Sequence, residues 1–152
     1  EIPATDEQFH SHWTICNFEL PLTTASVIDQ LSIFELEPNI ERAWQSLASV
    51  GIDEHIRALP YGLNNKISVT GSPLSQESRA RFALAVAIYH SPKILIIDHR
   101  KQRFSNAEIS ELVASASVHA TRIIYLSAVE PDKRLFRDRS IQHFEVLEPS
   151  VE

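Results

Sequence analysis

Hydrophobic and polar positions alternate with helical spacing in two long stretches of the chain. Apolar side chains recur every three or four residues over 40–50, after a Pro-Asn pair at 38–39 and before Gly51, so start and stop signals agree on a helix. Residues 75–90 are rich in alanine and apolar on nearly every face, which predicts a largely buried helix. Shorter helices are predicted from Ser26, from Asp53 as a cap to Pro60, and from a capping box at 105–108.

Apolar runs predict four strands. The run 94–97 contains only isoleucine and leucine, which is typical of a central parallel strand buried on both faces. Further strands are predicted at 13–16, 121–126 and 141–147. Because strands and helices alternate in the second half, we expect an α/β fold with an open sheet. We expect one domain over 1–152, with a helical subdomain at about 26–90 and a sheet core at 12–18 and 91–148.

The charge balance argues against a nucleic-acid partner. Asp and Glu outnumber Lys and Arg by 20 to 14, and the densest basic run, 100–103, is expected to be a solvated loop. Cys16 is the only cysteine, so no intrachain disulfide can form. No apolar run approaches the roughly 20 residues of a membrane helix, and no signal peptide is found. Because the chain starts at Glu1 and has no methionine, we expect a piece of a longer protein.

Five segments in collinear order resemble the ATPase (nucleotide-binding) domain of ABC transporters, from the Q-loop region onward. They are the approach to the Q-loop (5–18), the start of the helical subdomain (26–34), the Ala-Leu-x-x-Val-Gly-Leu stretch (43–63), the signature motif to Walker B (71–98), and the Asp-Arg pair before the closing strand (138–139). The wording is most similar to that of peptide and protein exporters, including the type I secretion group.

The resemblance implies a partial P-loop NTPase-like fold, with a parallel sheet flanked by helices and a small helical subdomain. It also implies a cytoplasmic domain, held at the inner face of the cell membrane through its parent protein. The implied partner is another ATPase domain or the membrane domain of a transporter.

The glycine-rich loop that holds the nucleotide in this family is not found in the chain. A P-loop needs clustered glycines and a lysine to surround phosphates, whereas Gly51, Gly62 and Gly71 are far apart and none precedes a Lys-Ser/Thr pair. In the family this loop would precede Glu1. We therefore expect no cofactor for this chain alone, and ATP with Mg²⁺ only where a partner domain supplies them.

The family's signature motif, Leu-Ser-Gly-Gly-Gln, corresponds here to Leu74-Ser75-Gln76-Glu77-Ser78. In the family its serine and helix N-terminus grip the γ-phosphate of a nucleotide held by the partner domain. Both glycines are replaced, and the Glu77 carboxylate would repel a phosphate charge about 4 Å away by roughly 4 kcal/mol. The simpler interpretation is that Ser75 is only a helix N-cap, with Ser78 in the first turn.

Residues 94–98 resemble Walker B, where the family's Asp organises Mg²⁺ through water. Asp98 is retained, but the next residue, a water-activating Glu in the family, is His99. An imidazole can act as a general base, although no P-loop in this chain holds a substrate before it. We interpret Asp98 and His99 as vestigial, with Asp98 bonding to nearby backbone.

Three further catalytic positions depart from the family. The Q-loop Gln falls on Phe18 beside Asn17, the D-loop Asp on Ser105, and the switch His on Ser127 or Ala128. The His pairs at 10/12 and 90/99 lack metal-ligand spacing, so we expect surface histidines and no metal site. The sequence therefore predicts no catalytic residue.

Three hypotheses follow. The first is a degenerate, non-hydrolysing ABC ATPase-like domain with a structural or regulatory role in a larger export protein, whose parent had already lost hydrolysis. The alternative is the degenerate half of an asymmetric pair, which completes a partner's ATP site through Leu74-Ser75. The third is an enzyme that uses His99 with Asp98 for different chemistry, although no nucleophile or substrate pocket is evident.

Overall fold

The computed structural model describes residues 13–19, 23–33, 35–100, 104–120, 122–127 and 141–145. In chain order the elements are β1 (Trp13–Cys16), β2 (Ala25–Ser26), α1 (Val27–Leu31), α2 (Ile40–Ser49), α3 (Asp53–Arg57), β3 (Lys66–Ile67), α4 (Gln76–Tyr89), β4 (Ile94–Asp98), α5 (Asn106–Ala116), β5 (Arg122–Ser127) and β6 (Ile141–Glu145). The chain divides into two compact units, Phe18–Ser91 and the two flanking segments Glu1–Asn17 and Pro92–Glu152.

The flanking segments carry a four-stranded parallel sheet in the order β1-β4-β5-β6. Trp13 lies opposite Ile94 in the β1–β4 pair, and Ile94 lies opposite Arg122 in the β4–β5 pair. All four predicted strands are confirmed, and the α/β fold class with them. The boundaries differ slightly: β5 is shifted by one residue, and β6 ends at Glu145.

The two faces of this sheet differ in burial. One face carries fully or nearly fully buried side chains: Cys16, Leu95, Ile97, Ile123 and Tyr125. On the other face Trp13 is 42% exposed and Ile15 is 52% exposed, and Ile94 and Ile96 are half-buried. The prediction that the run 94–97 is buried on both faces is therefore wrong. A parallel sheet needs a helix layer on each face, and α5 is the one helix in the described part of this unit.

The helical unit, Phe18–Ser91, is built around α4. This helix buries apolar side chains on most of its surface, including Phe82, Leu84 and Ile88, and the amphipathic α2 packs against it. The predicted helices at both places are confirmed. The unit also contains a ribbon in which β2 pairs antiparallel with β3, which was not predicted because two residues are too few to show a period.

One prediction about α3 is wrong. Asp53 is the first helical residue rather than the cap, since Ile52 occupies the N-cap without a side-chain hydrogen bond. The helix ends at Arg57, before the predicted stop signal Pro60, and proline disfavours helical backbone in the residue before it. Asp53 still stabilises the positively polarised first turn with its negative charge, and it lies 3.8 Å from the Arg57 guanidinium.

Helix starts elsewhere follow the predicted chemistry. Ser105 and Glu108 form the expected capping box of α5, and Ser26 forms a second one with Asp29 at the start of α1. Within the described ranges, no helix has the length and apolar character required to cross a membrane. The predictions for residues 5–12, Phe34 and Asp138-Arg139 lie outside the described residues.

Candidate functional site: the carboxyl end of β4

Asp98 and His99 lie at the carboxyl end of β4, between β1 and β5. Ligands of open α/β sheets bind at this edge, outside the carboxyl ends of the strands. The His99 N–H donates to the carbonyl oxygen of Leu126 at 2.8 Å, so pairing with β5 continues one residue beyond β4. This pairing fixes where both side chains point.

The Asp98 carboxylate is held by the arginine two residues further on. Arg100 donates through Nε to Oδ1 at 2.9 Å and through Nη2 to Oδ2 at 2.6 Å, and its backbone N–H donates to Oδ1 at 3.1 Å. The expected backbone bond is thus present. The fork of two side-chain bonds is the strong, geometrically specific form of an Arg–carboxylate pair. It places a positive charge where the family's Asp meets a hydrated Mg²⁺.

The prediction that residues 100–103 form a solvated loop is confirmed for Arg100, which lies in a turn with its side chain 48% exposed, although its guanidinium pairs with Asp98. Residues 101–103 lie outside the described residues. The Asp98–Arg100 pair could not be predicted from the sequence, because the pair depends on the turn that the backbone makes after β4.

His99 is buried, with 3% of its surface exposed, so the prediction of a surface histidine is wrong here. Its Nδ1 lies 2.9 Å from the Tyr125 hydroxyl, and its Nε2 accepts the backbone N–H of Phe104 at 3.2 Å. Since Nε2 accepts, the network assigns the proton to Nδ1, which donates to Tyr125. Both ring nitrogens are therefore engaged inside the protein.

Burial keeps this imidazole neutral. Removal from water lowers the pKa of His99, because the charged form loses its hydration. Burial also raises the pKa of the Tyr125 hydroxyl to about 12, so that group stays protonated and can accept from Nδ1–H. A general base needs an available lone pair facing its substrate, whereas the Nε2 lone pair of His99 already binds Phe104. This geometry does not favour an enzyme built on His99 and Asp98.

A sequence signal for the burial of His99 was missed. Side chains two residues apart on a strand share a face, so Leu95, Ile97 and His99 form one series. Extending the alternation one step past β4 places the imidazole on the buried face. Its partners, Phe104 and Tyr125, come from other segments and could not be assigned in advance.

The other catalytic positions of the family carry side chains with structural contacts. Phe18, at the Q-loop position, is 4% exposed and has a φ of +60°. Ser127, at the switch position, is 3% exposed, and Ser105, at the D-loop position, is occupied by its capping box. Among the described residues, no group of three or more His, Cys, Asp or Glu is placed to hold a metal ion.

The signature segment begins α4. Leu74 is buried, Gln76 is exposed, and Ser75 is the N-cap, as predicted. The Ser75 Oγ accepts the Ser78 N–H at 3.1 Å and donates to the Ser78 hydroxyl at 3.0 Å. The serine hydroxyl is thus satisfied within its own helix.

Glu77 carries a negative charge that is partly compensated. Its carboxylate lies 3.0 Å from Nε of Arg81, one turn along α4, and Nη1 of Arg81 also donates to the carbonyl of Val50 at 3.1 Å. The Glu77 side chain is 62% exposed, so this pair contributes little to stability. It does lower the repulsion that Glu77 would exert on an approaching phosphate.

Several known proteins that are similar in sequence to this chain are ABC transporters. No protein-family model matches the chain. "ABC transporter B family member 29, chloroplastic" from Arabidopsis thaliana is 29% identical over 109 residues, covering 70% of this chain and 17% of the relative. "ABC-type transporter fsqE" from Aspergillus fumigatus is 30% identical over 99 residues, covering 63% and 8%. "Alpha-hemolysin translocation ATP-binding protein HlyB" from Escherichia coli is 32% identical over 77 residues, covering 51% and 11%.

Among solved structures, "Structure of a bacterial Atm1-family ABC exporter with ATP bound" superposes with a TM-score of 0.69 at 17% identity. That match covers 95% of this chain and 26% of the exporter chain, and it confirms the P-loop NTPase-like fold. The chain is an ABC transporter-related domain. It spans 8% to 17% of the length of the three curated relatives, which fits part of a nucleotide-binding domain, and the predicted resemblance to exporters, including one of type I secretion, is confirmed.

Proposed function

We propose that this chain is a non-hydrolysing ABC ATPase-like domain with a structural or regulatory role in an export protein. Its partner is another ATPase domain or the membrane domain of a transporter. It works at the cytoplasmic face of a membrane, to which its parent protein holds it.

The observation that carries this proposal is the state of His99. The residue stands where the family has a water-activating Glu, yet it is neutral and buried, and both nitrogens bind protein groups. To take a proton from water, Nε2 would first have to break its hydrogen bond with the Phe104 N–H. An enzyme under selection for turnover keeps its base available to substrate.

The Asp98–Arg100 pair supports the proposal independently. A carboxylate that accepts two side-chain bonds and one backbone bond from Arg100 has little capacity left to organise a hydrated cation. The chain itself also carries no clustered glycines to surround phosphates.

Equilibrium dialysis of the full chain against ATP and Mg²⁺ tests this proposal. We expect no saturable binding in the micromolar range and no turnover above that of heat-denatured protein. Micromolar ATP binding, or measurable hydrolysis by the folded chain, would overturn it. The Asp98→Asn variant is the matched control, because binding through the family's metal position should be lost when that carboxylate is removed.

A second candidate function is favoured by the Glu77–Arg81 pair. Because Arg81 compensates the charge of Glu77, the start of α4 is less hostile to a phosphate than the sequence alone suggests. Leu74-Ser75 could then complete an ATP site whose P-loop belongs to an intact partner domain, as the family's signature serine does.

This alternative predicts that the rate of ATP hydrolysis by an intact partner domain depends on Ser75. Ser75→Asp is the informative variant, because aspartate is as good an N-cap as serine but repels a phosphate. A stably folded Ser75→Asp chain that abolishes stimulation of the partner would support the alternative. An unchanged partner rate would exclude it and leave the first proposal standing.

A further inference from the structure

The start of α2 is tied to the end of α4 through one buried hydroxyl. The backbone N–H of Asn39 donates to the Tyr89 hydroxyl at 2.9 Å, and that hydroxyl donates to Oε2 of Glu35 at 3.1 Å. Asn39 is also the N-cap of α2, since its Oδ1 accepts the Arg42 N–H at 2.9 Å. The position of this N-cap therefore depends on the contacts of Tyr89.

His90 contacts both side chains of this link. Oε1 of Glu35 lies 3.4 Å from Nδ1 of His90, so one carboxylate reaches two consecutive side chains at the end of α4. The Tyr89 and His90 rings meet edge to face, with their centroids 4.8 Å apart. A change in the charge of His90 would therefore act directly on the groups that hold Asn39.

The surroundings of His90 suit a neutral imidazole better than a charged one. Nδ1 faces the carboxylate and carries the proton of the neutral ring, which leaves a lone pair on Nε2. Nε2 is buried and has no hydrogen-bond partner in the part of the chain that the structure describes. Protonation would place an N–H at this atom, and a buried donor without an acceptor is costly.

The charges that face His90 come from the segment before α2, from α2 and from α4. Burial lowers the pKa of His90, the carboxylate of Glu35 partly opposes this effect, and the charge of Arg42 adds to it. Tyr89 contributes a hydroxyl whose pKa burial raises, so it is uncharged. An imidazole in water has a pKa of about 6.5. Acid below that pH therefore favours an arrangement in which His90 is hydrated.

We propose that His90 is a pH-sensitive latch, which holds segment 35–39 against the end of α4 while its imidazole is neutral and releases the segment when the imidazole takes a proton from solvent. The charged ring turns into water and attracts the Glu35 carboxylate away from Tyr89. The Asn39 N–H then loses its fixed acceptor, and the start of α2 loosens. This inference concerns the helical unit alone and does not depend on the proposed function.

Amide hydrogen exchange of the full chain, followed by NMR, tests the latch. Local opening frees the Asn39 N–H, so the protection of this amide, corrected for the intrinsic pH dependence of exchange, reports the closed state. We expect protection to fall severalfold between about pH 8 and about pH 5. The Leu74 amide donates to the Gly71 carbonyl at 2.8 Å in the same unit and should keep its protection. Equal losses at Asn39 and Leu74 would indicate general unfolding and overturn the inference.

Three variants identify the group that titrates. His90→Gln should keep the Asn39 amide protected across this pH range, because an amide side chain takes no proton and can still donate to Glu35. Tyr89→Phe should lose that protection at every pH, because it removes the acceptor. His55→Gln is the matched control, since His55 is exposed on α3 of the same unit, and it should respond as the unsubstituted chain does. An Asn39 amide that is insensitive to pH, or an acid response that persists unchanged in His90→Gln, would overturn the inference.

Discussion

His99 and Tyr125 share a hydrogen bond inside the sheet unit, and Phe104 closes the other side of the imidazole. A histidine was expected at this position to be either a substitute base or an unused surface residue. It is instead a packing residue that ties the loop after β4 to the neighbouring strand β5. Where the family has an acidic residue, this chain has a buried imidazole that contributes to packing.

The neutral state of His99 predicts that acid destabilises the protein. Burial lowers the pKa of His99 in the folded chain, so the unfolded chain binds a proton first as the pH falls below about 6.5. Stability is therefore full above that pH and is lost progressively below it. Urea unfolding between about pH 8 and about pH 5 should show the midpoint falling on the acid side.

His99→Gln isolates this contribution. It cannot titrate, so the loss of stability on acidification should be smaller than in the unsubstituted chain. It should also cost about 1–3 kcal/mol at neutral pH, because buried partners lose well-formed bonds. Some pH dependence will remain, since burial also lowers the pKa of His90 and of His119. An identical acid profile in both proteins would contradict the assignment of a neutral His99.

At the start of α4, backbone and side chain interlock around Gly71. This glycine has a φ of +86°, and a Cβ atom placed on it would lie 1.9 Å from Cδ of Arg79. Arg79 crosses that position to donate through Nη1 to the Thr70 carbonyl at 2.7 Å. The absent side chain of Gly71 therefore permits the hydrogen bond that joins the backbone of Thr70 to Arg79 in the first turn of α4.

Gly71→Ala should destabilise the protein more than Gly62→Ala does. Both positions have positive φ, which costs an alanine about 1–2 kcal/mol, but a Cβ at Gly62 meets no atom within 4 Å. Only Gly71→Ala must also displace Arg79 and lose its bond to Thr70, worth about 1 kcal/mol more. Chemical unfolding of the two variants measures the difference.

The double variant Gly71→Ala/Arg79→Ala decides whether the displaced arginine is the cause. In the Arg79→Ala background the extra cost at Gly71 should vanish, leaving only the strain of positive φ. Equal costs of Gly71→Ala in both backgrounds would show that Arg79 does not occupy the space beside this glycine.

Elements were predictable where a period extends over enough residues. The 3.6-residue repeat of α2, the apolar run of β4 and the Ser-x-x-Glu box of α5 each predicted the correct element. The ribbon β2–β3 escaped because each strand has two residues. At the candidate site, the order of the motifs predicted that Asp98 and His99 lie at the carboxyl end of the strand β4. Their contacts with Arg100 and Tyr125 arise from the turn after β4 and from strand pairing, which local patterns do not encode.

Across the sheet unit, the apolar pattern and the observed burial disagree on one face. The series Trp13, Ile15, Ile94 and Ile96 has the composition of a covered parallel sheet, yet β1 leaves Trp13 42% exposed and Ile15 52% exposed. Burial of apolar surface contributes about 25 cal/mol per Å² to stability. The exposed parts of Trp13 and Ile15 do not make this contribution. Among the described residues of the sheet unit, this face of β1 is therefore a surface suited to contact.

Because of this exposed apolar face, we expect the isolated chain to bind apolar dyes and to self-associate. Ile15→Thr keeps a β-branched residue in β1 while removing apolar surface, so it should reduce the binding of an apolar dye such as ANS and reduce concentration-dependent association in sedimentation velocity. Val118→Thr, a substitution of an exposed valine outside any strand, should change neither. If both variants bind dye and associate equally, the sheet face is not the surface responsible. If Ile15→Thr alone reduces both, the exposed face of β1 is the surface responsible.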